Sequence, residues 1–361
     1  MKKMFTPNPL AAKTIEANAM TIASEACSLF IKGQPEATTR AGFDIYQSWA
    51  NHFQQRVLEL SAAVAAGEPE VFSSRVVWSR QAMAARYIEN VNLQESLKHL
   101  REVVATLLPP EDSSEALLCL DEAIQSYSQE VTKPEVSQLD PAIPEQRLAL
   151  FYMQAALEGN VIEAMQVVLD AIDGGLNPRT AITEVLLAAQ REVGHLWHLD
   201  QITIAEEHLI TSTTLRLMAV IAARSRRAPE NGRTVVAASI AGNAHEVGIR
   251  AISYLMELDG WRVIYLGSDV PRNNLPAAIH FFDAHLVMLS LTLSSQLSGL
   301  TDTIREIRAT GDNPVSIMVG GNAFRDAPES WKVMGADGYA DNPATTLELA
   351  MALTDKKTTS H

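Results

Sequence analysis

Asn243-x-His245-x-x-Gly248, Ser290-Leu-Thr292 and Gly320-Gly321 are residues whose types and spacing suit one piece of chemistry. They could hold a large group with a metal at one end and a tail at the other. Neutral imidazole is a good donor to a transition metal, and its two nitrogens can be used separately. Asn243 precedes His245 by two positions, where its carbonyl oxygen can accept the second ring N–H and fix the tautomer. The glycine pair lets backbone approach a ligand closely. Taken singly, each feature has a plainer meaning. A loop histidine is commonly a surface residue, a glycine pair a turn, and a strand threonine a packing choice. The spacing joins them: forty-one residues separate Gly248 from Ser290, and twenty-seven separate Thr292 from Gly320.

The elements that must position these residues alternate in type. Thr234–Ile240, Trp261–Leu266, Leu286–Leu291, Val315–Val319 and Ala336–Tyr339 read as strands. The helices between and after them are expected over Glu246–Leu258, Leu275–Phe282, Ser294–Ala309 and from Ala344. Such alternation predicts a doubly wound, flavodoxin- or Rossmann-like parallel sheet over residues 230–357, and ligands bind such sheets at the C-terminal strand ends. The three motifs fall at those ends.

Upstream, residues 146–227 read as a four-helix bundle. Gly159-Asn160 and Gly174-Gly175 break the helices, Asn177-Pro178 starts the third, and Thr203-x-x-Glu206 is a capping box opening the fourth. Ile182, Leu186, Ala189, Val193 and Leu196 form one stripe. Residues 1–128 read as an all-helical domain of unassigned role, with helix starts at Ser73/Ser74 and Asn92-x-x-Glu95, and a break at Pro109-Pro110 before Asp112. Trp49, Trp78 and Tyr87 read as its core aromatics. Residues 129–145, polar and marked by proline, read as a linker. The expected class is thus multidomain, α and α/β.

The 361 residues allow two or three domains, and 47% hydrophobic with 20% charged residues fits a soluble globular chain. A net charge of −14 argues against a nucleic-acid surface. The one basic run, Arg224-Ser-Arg226-Arg227, is read as a helix end, where cations suit the dipole. Cys27 and Cys119 read as buried thiols of a cytoplasmic protein. No run is apolar enough to predict a membrane helix, and the N-terminus lacks the apolar core of a signal peptide.

These motifs resemble the cobalamin-binding module of methionine synthase, B12-dependent mutases and corrinoid proteins: Asp-x-His-x-x-Gly, then Ser-x-Leu, then Gly-Gly. The resemblance implies that His245 is the lower axial ligand to cobalt and Asn243 its supporting partner. It implies that Gly248, Ser290, Thr292, Gly320 and Gly321 line a slot for the cofactor's nucleotide tail. Leu266–Pro271, Leu-Gly-Ser-Asp-Val-Pro, is similar to the family as well. Two positions depart from it. Asn243 replaces Asp, which predicts a weaker imidazole donor, and Thr292 replaces Leu.

Trp197, followed after nine residues by Glu207-His208, resembles the bundle of CarH-type cobalamin photoreceptors. That resemblance implies Trp197, Glu207 and His208 beside the upper face of adenosylcobalamin, or of methylcobalamin, with His208 an upper cobalt ligand after photolysis. The plainer meanings are a core tryptophan and a solvated Glu-His pair. His195 and His198, flanking Trp197, are expected at a surface or interface. The function implied is a light sensor, not an enzyme, whose bundle moves and alters contact with a protein partner or a second copy; no MerR-type DNA-binding domain is recognised. A bilin is carried as a second possible chromophore. The alternatives are a corrinoid methyl carrier for a methyltransferase system and a cobalamin-level sensor or antirepressor.

Overall fold

The computed structural model describes residues 5–33, 45–85, 90–127, 137–309, 315–325 and 327–358. Tyr87 and residues 129–136 of the expected linker lie outside them. The chain divides into two compact units: Met1–Thr132 with Leu293–Ser298 and Ala323–Val333, and the remainder. No helix of the described residues is long and apolar enough to cross a membrane.

The first unit contains α1 (Pro9–Ala17), α2 (Ala19–Gly33), α3 (Ile45–Ala66), α4 (Glu70–Ala85), α5 (Asn90–Leu107) and α6 (Pro110–Ser126). Asn8 caps α1 by accepting from the Ala11 N–H at 3.1 Å, with proline in the first turn. Aromatic packing centres on Phe30, whose ring lies 4.3 Å from Trp49 and 5.9 Å from Phe53. Cys27 and Cys119 are buried free thiols, and burial pushes the Cys119 thiol up to about 12. Three expectations need correction. Ser73 and Ser74 lie inside α4, not at its start, and Ser74 Oγ donates to the Glu70 carbonyl at 2.7 Å. Asn92 lies within the first turn of α5, which begins at Asn90. Trp78 is 37% exposed, because α4 turns Val76 inward and Val77 and Trp78 outward.

The second unit begins with the bundle: α7 (Pro144–Leu157), α8 (Val161–Asp173), a third helix in three pieces, and α11 (Ile204–Arg224). The third helix starts as α9 (Pro178–Thr180), capped by Asn177 accepting from the Arg179 N–H at 2.9 Å. It widens to a π-helix over Ala181–Leu186 and continues as α10 (Leu187–His198). The π-helical piece is not written in the apolar stripe, and it puts Ala181, Ile182, Val185 and Leu186 in the core together. At the start of α11, Thr203 and Glu206 form the reciprocal capping box. Arg224 ends α11, leaving Arg226 and Arg227 beyond it.

The sheet follows. Its strands β1 (Thr234–Ile240), β2 (Arg262–Val270), β3 (Leu286–Ser290), β4 (Ser316–Gly320) and β5 (Gly338–Ala340) are parallel, in the order β2-β1-β3-β4-β5. Helices α12 (Val247–Leu258), α13 (Leu275–Phe281), α14 (Leu297–Ala309), α15 (Ser330–Met334) and α16 (Pro343–Thr358) connect and close it. The continuous apolar runs of β1, β3 and β4 fit strands covered on both faces. β2 extends beyond Leu266 to Val270, with register shifts against β1 after Ala237. The order reverses between β1 and β3, which makes their C-terminal ends the ligand-binding crevice of such a fold. α12 joins bundle to sheet: its Ala251 and Leu255 belong to the same buried cluster as Tyr152, Val185 and Leu217 of the bundle.

Gly321 shows how tightly the strand ends meet. Its φ is +112°, and a Cβ there would fall 2.1 Å from the Leu291 carbonyl oxygen. Gly248 differs, since a Cβ added to it meets nothing within 4 Å. Gly321→Ala should cost about 3 kcal/mol, through backbone strain and overpacking. A thermal melt followed by circular dichroism should show its midpoint lowered by roughly 10 °C, whereas Gly248→Ala should melt with the parent protein. Equal melting of all three proteins would show that the β3–β4 edge yields without cost.

Candidate functional site

The site is built from the loop that leaves β1. Residues 241–246 run from Ile240 to the start of α12, and four bonds hold their shape. The Asn243 N–H donates to the Ile240 carbonyl at 3.0 Å, and the Asp269 N–H donates to the Asn243 carbonyl at 3.1 Å. Asp269 Oδ1 accepts from the Gly242 N–H at 2.7 Å, and Ser239 Oγ donates to the His245 carbonyl at 2.9 Å. Asp269 makes its clasp from a left-handed backbone, φ +53°, an uncommon conformation for a residue with a side chain.

Within this loop Asn243 is wholly buried and His245 is exposed. Asn243 Oδ1 lies 3.2 Å from His245 Nδ1 and accepts from the His245 backbone N–H at 3.3 Å. The backbone donor identifies that atom as the oxygen, so the ring Nδ1 must carry the proton to bond it. Nε2 is then the nitrogen with a free lone pair, the form in which a histidine ligates a metal. The other side of the amide, Nδ2, donates to the Ser290 carbonyl at 3.1 Å and ties the loop to the end of β3.

Ser290 therefore enters this site through its main chain; its partner is the Asn243 amide. Thr292, two residues on, is half-buried. Gly320 and Gly321 follow β4, and the Gly320 carbonyl accepts from the Leu291 N–H at 3.1 Å. A Cβ at Gly320 would meet the Ala340 carbonyl oxygen at 2.9 Å. In the structure the glycine pair admits neighbouring strand ends, whereas Gly248 faces open space at the start of α12.

The bundle contributes a second group. Trp197 is half-buried against the bundle core, which also includes Val247 and Tyr254 of α12. Glu207 and His208 lie in the first turns of α11. Glu207 Oε2 is in contact with His208 Nδ1, and the His208 side chain is 72% exposed. Glu207 is anchored from behind. Its Oε1 lies 2.8 Å from Thr211 Oγ1, which lies 3.0 Å from Gln190 Oε1; Gln190 Nε2 reaches Thr214 Oγ1 at 2.8 Å, and Thr214 reaches the buried Tyr152 hydroxyl at 2.7 Å. Thr211 has one hydroxyl proton, so it serves Glu207 or Gln190 at any moment. His198 is a correction: it is 6% exposed rather than a surface residue, because α10 packs against α7, α11 and α12.

Several supporting residues escaped the sequence reading. Tyr265 on β2 donates to Glu246 Oε2 at 2.5 Å, and the Arg250 guanidinium lies 3.6 Å above the Tyr265 ring. Glu246 follows His245 directly, so this cluster holds the far end of the loop. Glu246-x-x-x-Arg250, an i,i+4 pair, was the available signal. Gln190 and Thr211 lie on different helices, and nothing local marks their pairing.

The arrangement fits a group that brings most of its own metal ligands and needs one axial nitrogen. Comparison with known proteins agrees with that chemistry. Residues 233–348 match the B12 binding domain model, and residues 152–222 match a second B12 binding domain model. The chain is 28% identical over 213 residues to the HTH-type transcriptional repressor CarH of Myxococcus xanthus, covering 59% of this chain and 70% of that protein. It is 25% identical over 198 residues to dimethylamine corrinoid protein 1 of Methanosarcina acetivorans, covering 53% and 90%. Among solved structures, the monomethylamine corrinoid protein of Methanosarcina barkeri aligns with a TM-score of 0.49 at 18% identity, over 58% of this chain and 99% of that one.

The Asn243 bridge makes a specific demand. Asn243→Asp keeps an acceptor for His245 but turns the Nδ2 donor into an oxygen facing the Ser290 carbonyl. The variant without cofactor should lose about 1–2 kcal/mol of stability, read from the urea midpoint. An unchanged midpoint would remove the Ser290 bond from this account.

Proposed function

We propose that this cobalamin-binding protein, which resembles CarH, is a light-responsive signalling protein and not an enzyme. The observation that carries the reading is the Glu207–His208 pair, set nine residues after Trp197 and anchored from the bundle interior through Thr211 and Gln190. Cobalamin supplies, when bound, a cobalt–carbon bond that visible light can break. Everything else falls to this chain. His245 offers Nε2 as the lower ligand while Asn243 holds Nδ1. Gly248, Ser290, Thr292, Gly320 and Gly321 form the slot for the nucleotide tail. Trp197, Glu207 and His208 cover the upper face, with the adenosyl form preferred and the methyl form the alternative.

The output of this reading is mechanical. α12 starts just after His245 and shares its buried cluster with the bundle, so a displaced bundle is felt at the helix beside the metal ligand. We assign residues 146–227 to the bundle, 230–357 to the cofactor module, 129–145 to a linker and 1–128 to a helical domain through which a protein partner or a second copy is engaged in the cytoplasm. The acidic chain, at −14, is not suited to nucleic acid.

A second reading, a corrinoid methyl carrier, draws on the match to 90% of a dimethylamine corrinoid protein. A carrier needs its upper face open to a partner enzyme; a sensor needs it capped.

The test begins with absorption spectra of protein loaded with adenosylcobalamin in the dark, repeated after green light, with size exclusion on both samples. The sensor reading expects a lasting spectral change and altered elution. Binding without any light-linked change favours the carrier, and no binding overturns both. His245→Ala should weaken binding at least tenfold or remove imidazole ligation from the dark spectrum; an unchanged spectrum refutes His245 as ligand. His208→Ala should leave dark affinity within about threefold, about 0.7 kcal/mol, but alter the illuminated spectrum. If the illuminated spectra coincide, His208 does not reach the metal.

A further inference from the structure

The first unit holds a buried polar set that cofactor binding does not use. α3 aligns His52, Gln55, Arg56 and Glu59 along one face, at i, i+3, i+4 and i+7. Arg56 is 4% exposed and Glu59 3%. Arg56 Nη2 reaches the two Glu59 oxygens at 2.9 and 2.7 Å. Gln55 Nε2 donates to Glu59 Oε1 at 3.2 Å and to Ser295 Oγ at 2.9 Å. Ser294 and Ser295 open the 3-10 turn Ser294–Gln296, which packs on α3 within the same unit.

This set is unbalanced in hydrogen bonding. Arg75 of α4 stands near enough to act on both Arg56 and Glu59. Burial lowers the Arg56 guanidinium and raises the Glu59 carboxyl, the response of ions whose compensation is incomplete. Burial, with Arg56 beside it, drives the His52 imidazole down to about 3, so it is neutral near pH 7. The shielded atoms without a partner among the described residues include Arg56 Nε and Nη1, His52 Nε2 and Ser294 Oγ. The two guanidinium atoms can only donate, and the hydroxyl and imidazole can donate as well. Glu59 Oε2, the shielded acceptor of the set, is already ion-paired with Arg56. Buried polar groups are as a rule satisfied, and here the surplus is of donors.

We propose that Arg56, His52 and Ser294 form a binding site for one small oxyanion of the phosphate or carboxylate class. Arg56 supplies the charge and two N–H directions, Ser294 a hydroxyl from a different stretch of chain, and His52 a neutral Nε2–H. The inference stands independently of the cobalamin reading, and its test uses no cobalamin.

Isothermal titration of the full cofactor-free chain, with inorganic phosphate and separately with acetate against a chloride background of equal ionic strength, should reveal one saturable site. Arg56→Met should weaken it at least tenfold and Ser294→Ala at least threefold, while Arg226→Ala, at an exposed arginine, should bind as the parent does. Phosphate alone, acetate alone or both binding assigns the class of oxyanion. Binding of neither, or affinities unchanged in both Arg56→Met and Ser294→Ala, overturns the site. If Arg56→Met fails to fold, Ser294→Ala and His52→Phe decide, since each removes a donor without changing charge at neutral pH.

Discussion

The structure of the cofactor module turns on one buried amide. Asn243 sits where the strand order reverses, at the point where β1 and β3 part and the sheet opens a crevice. Its oxygen takes two N–H groups of His245 and its nitrogen reaches across to the Ser290 carbonyl. A carboxylate could fill the first role only. The neutral amide therefore accepts a weaker pull on the imidazole in return for a second strand end held in place. That explains why Asn is compatible with a position where related modules carry Asp: the partner here is a main-chain carbonyl, which requires a donor. Fixing the proton on Nδ1 and presenting Nε2 follow from the same bonds.

A ligand histidine on a loop is useful only if the loop keeps its shape. Asp269 clasps one end from a left-handed backbone, and Glu246 with Tyr265 and Arg250 holds the other. Both supports come from β2 and α12, so the ligand is referenced to the sheet. The bundle is referenced to α12 as well, through shared apolar packing and through Arg179, which pairs with Asp259 at the end of α12.

Much of this was legible in the sequence because the signals were local. Apolar runs bounded by helices located the strands, and Thr203 with Glu206 or Asn177 with Pro178 marked helix starts by their own cap geometry. The parallel order followed from the alternation, and the crevice from the order. What escaped depends on partners far along the chain. The π-helical Ala181–Leu186 keeps an ordinary apolar stripe, and only the packing shows the wider turn. Ser73 and Ser74 looked like caps because serine suits them, yet Ser74 bonds back to Glu70 within the helix. His198, expected at a surface or interface, is buried by the convergence of α7, α11 and α12 on α10. Gly320-Gly321 was read as room for a ligand; the close approach of Leu291 to Gly321, a second reason for glycine there, is visible only in the fold.

That last point bears on how spacing motifs should be read. A glycine at φ +112° pressed on the Leu291 carbonyl would be needed by this strand edge with or without a cofactor. Gly248 is the opposite case, since the folded chain places nothing near it. A motif that joins three glycines thus mixes two positions required by the close approach of strand ends with one, Gly248, beside which the folded chain leaves open space. The same contrast separates Asn243, committed to the backbone on both sides, from the exposed Nε2 of His245, which the fold orients and leaves to be used.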